Sequence, residues 1–492
     1  MARSVHQRSA EDILPEELWG ECWRYADVKD IWNVRLACQG FARTGRPWMY
    51  RVLHSWSPNQ EDVEEKNWDI WCKHFLWSAQ RFVVVATGPF IYYVEEWSFS
   101  GIDEPRNLHD TNANIRGVNV LVEAYKSALT IFLNTLPLYP NLHTITLTSM
   151  TVDQSVFDAL ARIPKLQSLA LVETSTVLRP SSMAPWPLSK LRIVIGDKPD
   201  SPPLDDLFIA SPTLLDTLTL HSYRFSEACL RPLAMAEETL GTLTHLSLNL
   251  KQDTLFLLRD ILQLSPSLES LGIQDFDYQD SRDVQYPPLS SFSRIPRLRS
   301  YHGPAYLAAR VLAASPFTTL SLHSGKSREY SYSYSELYKL LRPLSHSAPS
   351  YLSFSVVIPD PRFFDLLGGV FSTAHSLSIC FGDPTLEGES SSEYRQVVLA
   401  NGADFAWPVR PANTLVGLLD RLVVRDLALP YGLKKLKFIQ ADPYGPRRIL
   451  PQDQRLFLDK LAYWYRDLVF FQIGENPPLM RVGPGSPWFT PS

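Results

Sequence analysis

Cysteine is scarce in this chain. Its 492 residues hold five, Cys22, Cys38, Cys72, Cys229 and Cys380, scattered and odd in number. That excludes a disulfide framework and reads as reduced thiols in a cytosolic or nuclear protein. Long apolar runs are lacking too. The longest candidate, Arg81 to Val94, is broken by Gly88-Pro89 and falls short of the roughly 18 residues that cross a bilayer, so no membrane partner is expected. Met1 to Ala10 is polar and has no apolar centre, which is not the pattern of a secretory signal, and no Asn-x-Ser/Thr sequon occurs. There is no long basic run, and the net charge is −5, so nucleic acid is not an expected partner. Gly-x-Ser-x-Gly, His-Glu-x-x-His and Cys-x-x-Cys are all absent. No catalytic residue, metal or cofactor is therefore expected, and the chain reads as a non-enzyme.

What is present is an ordinary folding composition, 45% hydrophobic and 20% charged, with 38 prolines set between apolar runs. The segment Ile13 to Leu53 reads as about three short helices. Leu14-Pro15-Glu16-Glu17-Leu18 suits a helix entry, with proline in the first turn and glutamates at the positive end of the dipole. Leu14, Leu18 and Cys22 share a face. Asp27 is placed to cap a second helix, along which Val28, Ile31, Val34 and Cys38 repeat. About 40 residues make a marginal core, so such a unit needs another surface to cover its apolar faces.

Leu-Pro-x-Glu-Leu, an aspartate before Val28, Arg-Leu-x-Cys-x-x-Phe, and a late Trp-x-Tyr-Arg-x-Leu together resemble the F-box of fungal proteins over roughly Ile13 to Leu53. Trp19, Trp23 and Trp32 are bulkier than is usual there, and Cys22 replaces a branched aliphatic. The resemblance implies docking of a Skp-type adaptor and, through it, a cullin. It carries the adaptor contact onto Leu14, Pro15, Leu18, Val28, Ile31, Val34, Cys38 and Phe41. The other reading is a plain helical cap on the next domain.

Beyond it, Leu-x-x-Leu-x-Leu recurs at Leu142-Ile145-Leu147, Leu166-Leu169-Leu171, Leu188-Leu191-Ile193, Leu215-Leu218-Leu220, Leu243-Leu246-Leu248 and Leu268-Leu271-Ile273, at spacings of 24, 22, 27, 28 and 25. Later copies are Leu298-Tyr301, Phe317-Leu320-Leu322, Leu377-Ile379, Leu419-Leu422-Val424 and Leu433-Leu436-Phe438, and Val94-Trp97-Phe99 is an early degenerate one. Helical periods intervene, at Val156, Phe157, Leu160 and Ile163, and at Leu255, Leu258, Ile261 and Leu262. The pattern resembles strand–helix leucine-rich repeats without a regular asparagine ladder. A doubly wound sheet is the alternative. The expected fold class is thus α/β, a small helical F-box followed by an irregular leucine-rich-repeat-like solenoid. Its expected parts are residues 10–54 (F-box), 55–90 (a Trp-rich helical linker whose aromatics cement the F-box to the first repeat, or else meet a partner), 91–475 (solenoid) and 476–492 (a frayed tail).

Gly325-Lys326-Ser327 is a fragment of a phosphate loop, but Leu320 stands where the motif needs glycine, which leaves a surface turn. His221, His245, His302 and His323 fall on or beside predicted strands, as polar face residues rather than a metal set. On the exposed strand face, early and middle copies place Thr144, Thr146, Thr148, Ser168, Thr217, Thr219, Thr244 and Ser247. The last two predicted strands instead place Arg421, Arg425, Lys434, Lys435 and Lys437 on or near that face, although alternation turns Lys434 away. That set suits an acidic or phosphorylated segment of an unknown target protein. It equally suits a solvated end to the array. Taken with the resemblance, the expected role is the non-catalytic target-recognition subunit of a cullin-based ubiquitin ligase. The alternative is an interaction scaffold without ligase function.

Overall fold

A computed structural model describes residues 15–26, 28–34, 36–55, 68–101, 115–176, 185–196, 209–235, 239–277, 294–312, 315–323, 338, 341–356, 361–381, 419, 421–423, 427, 429–440, 451–474 and 476–491. The chain forms two compact units, Met1–Pro232 and Leu233–Ser492. Both are mixed α/β, built on mostly parallel strands.

The first unit begins with helices α1 (Glu16–Tyr25), α2 (Val28–Val34) and α3 (Gln39–Arg51). Cys38 ends the turn before α3 in extended conformation, and its Sγ accepts the Phe41 N–H at 3.3 Å. Helix α3 runs directly into strand β1 (Val52–His54), which pairs in parallel with β2 (Glu96–Ser100). Leu53, read from sequence as the end of the helical segment, is thus the buried residue of the first strand.

Two long helices follow, α4 (Trp68–Thr87) and α5 (Ile115–Thr135). They pack on each other through Trp71, Phe75, Ala79, Leu121, Ala124 and Ala128. Under them, Phe82, Trp97, Phe99 and Phe132 form a ring cluster with centroids 4.4–6.5 Å apart. The Trp-rich linker was expected to cement the helical segment to the first strand. Of its tryptophans, Trp71 serves the α4–α5 contact, Trp77 is exposed, and Trp56 and the Trp68 side chain lie outside the described residues. Other aromatics of the 55–90 stretch take part in the joint, Phe90 stacking on Tyr50 at 4.3 Å and Phe82 meeting Trp97 at 4.7 Å, and Arg51 bonds Glu95 at 2.9 Å.

From there the unit repeats. The strands are β3 (Thr144–Thr148), β4 (Thr151–Val152), β5 (Ser168–Val172), β6 (Ser175–Thr176), β7 (Lys190–Val194) and β8 (Thr217–His221), with α6 (Gln154–Leu160) after β4 and α7 (Tyr223–Met235) after β8. Their order is β1-β2-β3-β5-β7-β8, with β4 and β6 paired to one side. Trp97, Ile145, Leu169, Leu191 and Leu218 stand in one register row, and Phe99, Leu147, Leu171, Ile193 and Leu220 in the next, all buried. Strand side chains alternate faces, so one slip would turn both rows to solvent; at about 1.5–3 kcal/mol per buried side chain, that fixes the register.

Before each strand a backbone N–H bonds to the carbonyl at the matching position of the previous copy. His143 bonds Glu95, Gln167 bonds His143, Ser189 bonds Gln167 and Asp216 bonds Ser189, at 2.8–2.9 Å. This tie needs no particular side chain, so it leaves no trace in the sequence. After β3 and β5 the chain turns through Ser149 and Glu173 in left-handed conformation (φ 49° and 52°).

The second unit continues the pattern with β9 (His245–Lys251), α8 (Leu255–Leu264), β10 (Ser270–Asp277), β11 (Ser300–Pro304), α9 (Ala305–Leu312), β12 (Thr319–His323), β13 (Tyr351–Val356), α10 (Pro361–Val370), β14 (Ser376–Phe381), β15 (Lys435–Gln440), α11 (Pro451–Trp464), β16 (Phe470–Ile473) and β17 (Leu479–Met480). Neighbours in that order are paired in parallel, except that β17 returns antiparallel to β16. Leu246, Leu271, Tyr301, Leu320, Leu352, Leu377, Leu436 and Phe471 form one buried row.

Three expectations need correcting here. Strands β13 and β16 were not anticipated, although Leu352-Phe354 and Leu468-Phe471-Ile473 fit the repeat. The predicted strand at Leu419-Leu422-Val424 is helical at 419 and 421–423, and Leu419 and Leu422 point into the core. Only 14 residues separate Leu419 from Leu433, too few for a full strand–helix copy between them. Finally, the tail expected to fray is folded. Met480 bridges Phe489, and buried Arg481 donates to the Leu468 carbonyl at 2.6 Å and to the Arg466 carbonyl, with its guanidinium 4.8 Å from the Trp488 ring. This hairpin covers the edge of β16, which would otherwise present unpaired backbone groups.

Candidate functional site

Helices α1 to α3 close on a small core of Trp23, Ile31, Phe41 and Met49, with Trp19, Val34 and Cys38 packed around it. The aromatic content decides the arrangement. Trp19 and Phe41 meet edge to face at 4.6 Å, Trp23 and Phe41 at 5.6 Å, and Trp23 Nε1 donates to Thr44 Oγ1 at 3.1 Å. Gly45 lets α2 approach α3, for a Cβ there would lie 3.1 Å from Ile31 Cγ2.

This core divides the predicted adaptor set. Ile31 is 2% exposed and Phe41 7%, so both are interior and neither faces a partner. Cys38 is occupied as the α3 cap, and Val34 is half-buried against the core. Pro15 and Leu18 are outside, Leu18 with half of its surface exposed (50%). Leu14 and the Val28 side chain lie outside the described residues. Sequence reasoning missed two large apolar residues that the helices leave open, Tyr25 (84%) and Leu36 (78%). The available signal was that each stands at a helix end, where the neighbouring turn gives little cover.

The second candidate surface is the outward strand face. Thr144, Thr146, Thr148, Ser168, Thr217, Thr219 and Ser247 stand there as expected, on the opposite side of their strands from the buried rows, while Thr244 precedes β9. Of the predicted cations, Lys435 and Lys437 are on the outward face of β15, in register with Ser376 and Ser378 of β14 and with Phe470 and Gln472 of β16. Lys434 is exposed in the preceding turn, where its N–H bonds the His375 carbonyl at 2.7 Å. Arg421 is on the helical stretch, not on a strand, and Arg425 lies outside the described residues. The expected group of five is therefore reduced to a β15 pair with Lys434 beside it.

Strand β7 was misjudged in the other direction. The middle copies were expected to be neutral, yet Lys190 and Arg192 are both exposed on its outward face. The alternation Lys-Leu-Arg-Ile-Val carried that signal.

Among the described residues, no cluster of three or more histidine, cysteine or acidic side chains could hold a metal ion. His302 and His323 do come together, with ring centroids 4.9 Å apart. His302 Nδ1 is 2.8 Å from Ser321 Oγ, and His323 Nε2–H donates to the Ile273 carbonyl at 2.8 Å. His245 opens β9 beside Thr244, and His221 belongs to the first unit. Burial pushes the Cys229 thiol up to about 12, and burial with Asp69 nearby raises Cys72, so neither offers a thiolate nucleophile. The Gly325-Lys326-Ser327 fragment lies outside the described residues. No helix among them is long and apolar enough to cross a membrane.

No protein-family model matches the chain, and no curated protein matches it.

Proposed function

We propose that this chain is the target-recognition subunit of a cullin-based, SCF-type ubiquitin ligase. In this reading, α1–α3 are an F-box that docks a Skp-type adaptor, and the strand–helix copies are leucine-rich repeats that hold a target. The role is positional and the chain itself is non-catalytic: tethering a target raises its effective concentration near the ligase's catalytic subunits. The expected setting is the cytosol or nucleus.

The observation that carries the reading is the pairing of an F-box-like sequence with apolar residues left uncovered. A core built on Trp23, Ile31, Phe41 and Met49 satisfies the inner faces of three short helices, while Leu18, Tyr25 and Leu36 remain exposed. So small a unit gains from an external apolar cover. Lys435 and Lys437, on the hydroxyl-lined outward face, support an acidic or phosphorylated segment as the target feature held in the second unit.

Co-purification of the intact chain with a Skp-type adaptor tests the docking half. Binding by the intact chain and its loss in Leu18→Asp, with the helical content unchanged, is the expected outcome. Truncating a central anchor of an interface typically costs about 2 kcal/mol or more. An intact chain that leaves the adaptor unbound would overturn the reading and leave an interaction scaffold.

A further inference from the structure

Several cations of the first unit are paired. Arg24 pairs with Glu21, Lys126 with Glu123, Arg231 with Glu227, and Lys165 donates to Asn141. Among the described residues, neither Lys190 nor Arg192 has a carboxylate within ion-pair distance, although both are exposed. Their neighbours in register are Ser168 and Thr217 beside Lys190, and Ala170 and Thr219 beside Arg192. No outward position of β5, β7 or β8 is acidic. One acid, Asp216, stands just before β8, where its carboxylate accepts from the Thr217 hydroxyl at 3.1 Å. Beyond burial, it is Arg192 that lowers the proton affinity of His221 at the end of β8.

The geometry suits an extended acidic segment. Alternate residues of a strand stand roughly 6.6 Å apart on one face, and adjacent strands about 4.8 Å apart. Two cations at that separation match two anionic side chains at alternate positions of an extended peptide. Of the flanking hydroxyls, those of Ser168 and Thr219 can donate to the same oxygens, whereas that of Thr217 is given to Asp216. Ala170 leaves open floor beside Arg192, so the guanidinium can present its planar edge to two oxygens at once. The same design occurs in the second unit, where Lys-Leu-Lys of β15 is flanked by Ser376 and Ser378. A nucleic acid is a poorer match, because its affinity grows with the number of phosphates neutralised and two cations neutralise few.

We propose that Lys190 and Arg192 form an anion-recognition site in the first unit that grips an acidic segment of a protein partner through carboxylate or phosphate oxygens. This goes beyond the reading above, which places the target contact on β15, and it stands whether or not an adaptor docks.

The test uses the full chain and fluorescence anisotropy at low ionic strength, since exposed charge contacts weaken in salt. The probes are a short labelled glycine–serine peptide, its counterpart with two phosphoserines two residues apart, and its counterpart with two aspartates there. The variants are Lys190→Glu/Arg192→Glu and, separately, Lys435→Glu/Lys437→Glu. The expected result is that a charged peptide binds, the neutral parent does not, and the β7 reversal weakens binding about tenfold or more in the presence of an intact β15. Phosphoserine or aspartate as the better probe identifies the anion source. An unchanged affinity in the β7 variant, no binding of either charged peptide, or preference for a single-stranded oligonucleotide of equal charge would each overturn the proposal. Failure of adaptor co-purification would leave it untouched.

Discussion

The helical segment α1–α3 and the parallel strands of the first unit answer differently to the same kind of reading. In the strands, every second residue is interior, so naming the leucines named the face: Leu169 and Leu171 are buried, and Ser168 and Ala170 are out. In the helices, eight apolar positions were assigned to a partner, yet Ile31 and Phe41 belong to the interior while Tyr25 and Leu36 lie open. A two-residue period divides a strand into two faces without further information. A 3.6-residue period over two turns leaves a broad stripe, and three short helices around aromatic rings share that stripe between core and surface. The lesson is that periodicity tells inside from outside in proportion to how narrow a face the element offers.

The largest expected effect would break this comparison directly. Phe41→Ala should cost about 3–5 kcal/mol in urea denaturation, because it empties the centre of the Trp19, Trp23 and Phe41 cluster. Leu18→Ala should change stability by less than about 0.5 kcal/mol. Were the two equal and small, Phe41 would return to the outer face and the original assignment would stand.

In the second unit, Leu320→Ala should cost about 2–5 kcal/mol, since Leu320 fills the row between Tyr301 and Leu352. The adjacent outward Ser353→Ala should be close to neutral. A neutral Leu320→Ala would mean that the two faces had been exchanged.

Gly45→Val probes the helix contact from the other side. With only 3.1 Å between a Cβ and Ile31 Cγ2, the branched side chain should overpack the α2–α3 contact by about 1–3 kcal/mol. A wild-type melting curve would place the helices farther apart than described.

The smallest effect is on pH dependence. Burial lowers the proton affinity of His323, against the Ile273 carbonyl and Asp275, which raise it. The unfolded chain therefore binds more protons below the ordinary histidine value of about 6.5. His323 costs nothing above that pH, and stability falls as pH drops through it toward the lower folded value. His54 and His221 are lowered as well, mainly by burial. His323→Gln, which keeps a donor for Ile273, should flatten part of the loss of melting temperature between neutral and mildly acidic pH. An identical profile would show that His323 titrates as it does in the unfolded chain.

The sequence alone determined the α/β class, the positions of β3, β5 and β7 to β12, the helices α6 and α8, and a helical N-terminal segment. All of these follow from spacing, because apolar side chains at fixed intervals have one way to leave water. It also placed Lys435 and Lys437 on an open strand face through strict alternation. Only tertiary structure decided that Ile31 and Phe41 are core, that Cys38 is a cap, that Arg421 is helical, and that the tail folds back over β16 through Arg481 and Trp488. Apart from the Cys38 cap, which is local, the choice lies between surfaces supplied by other elements of the chain. Burial rewards whichever surface is nearest in space, and that is set by the packing of elements, not by the residues of any one of them.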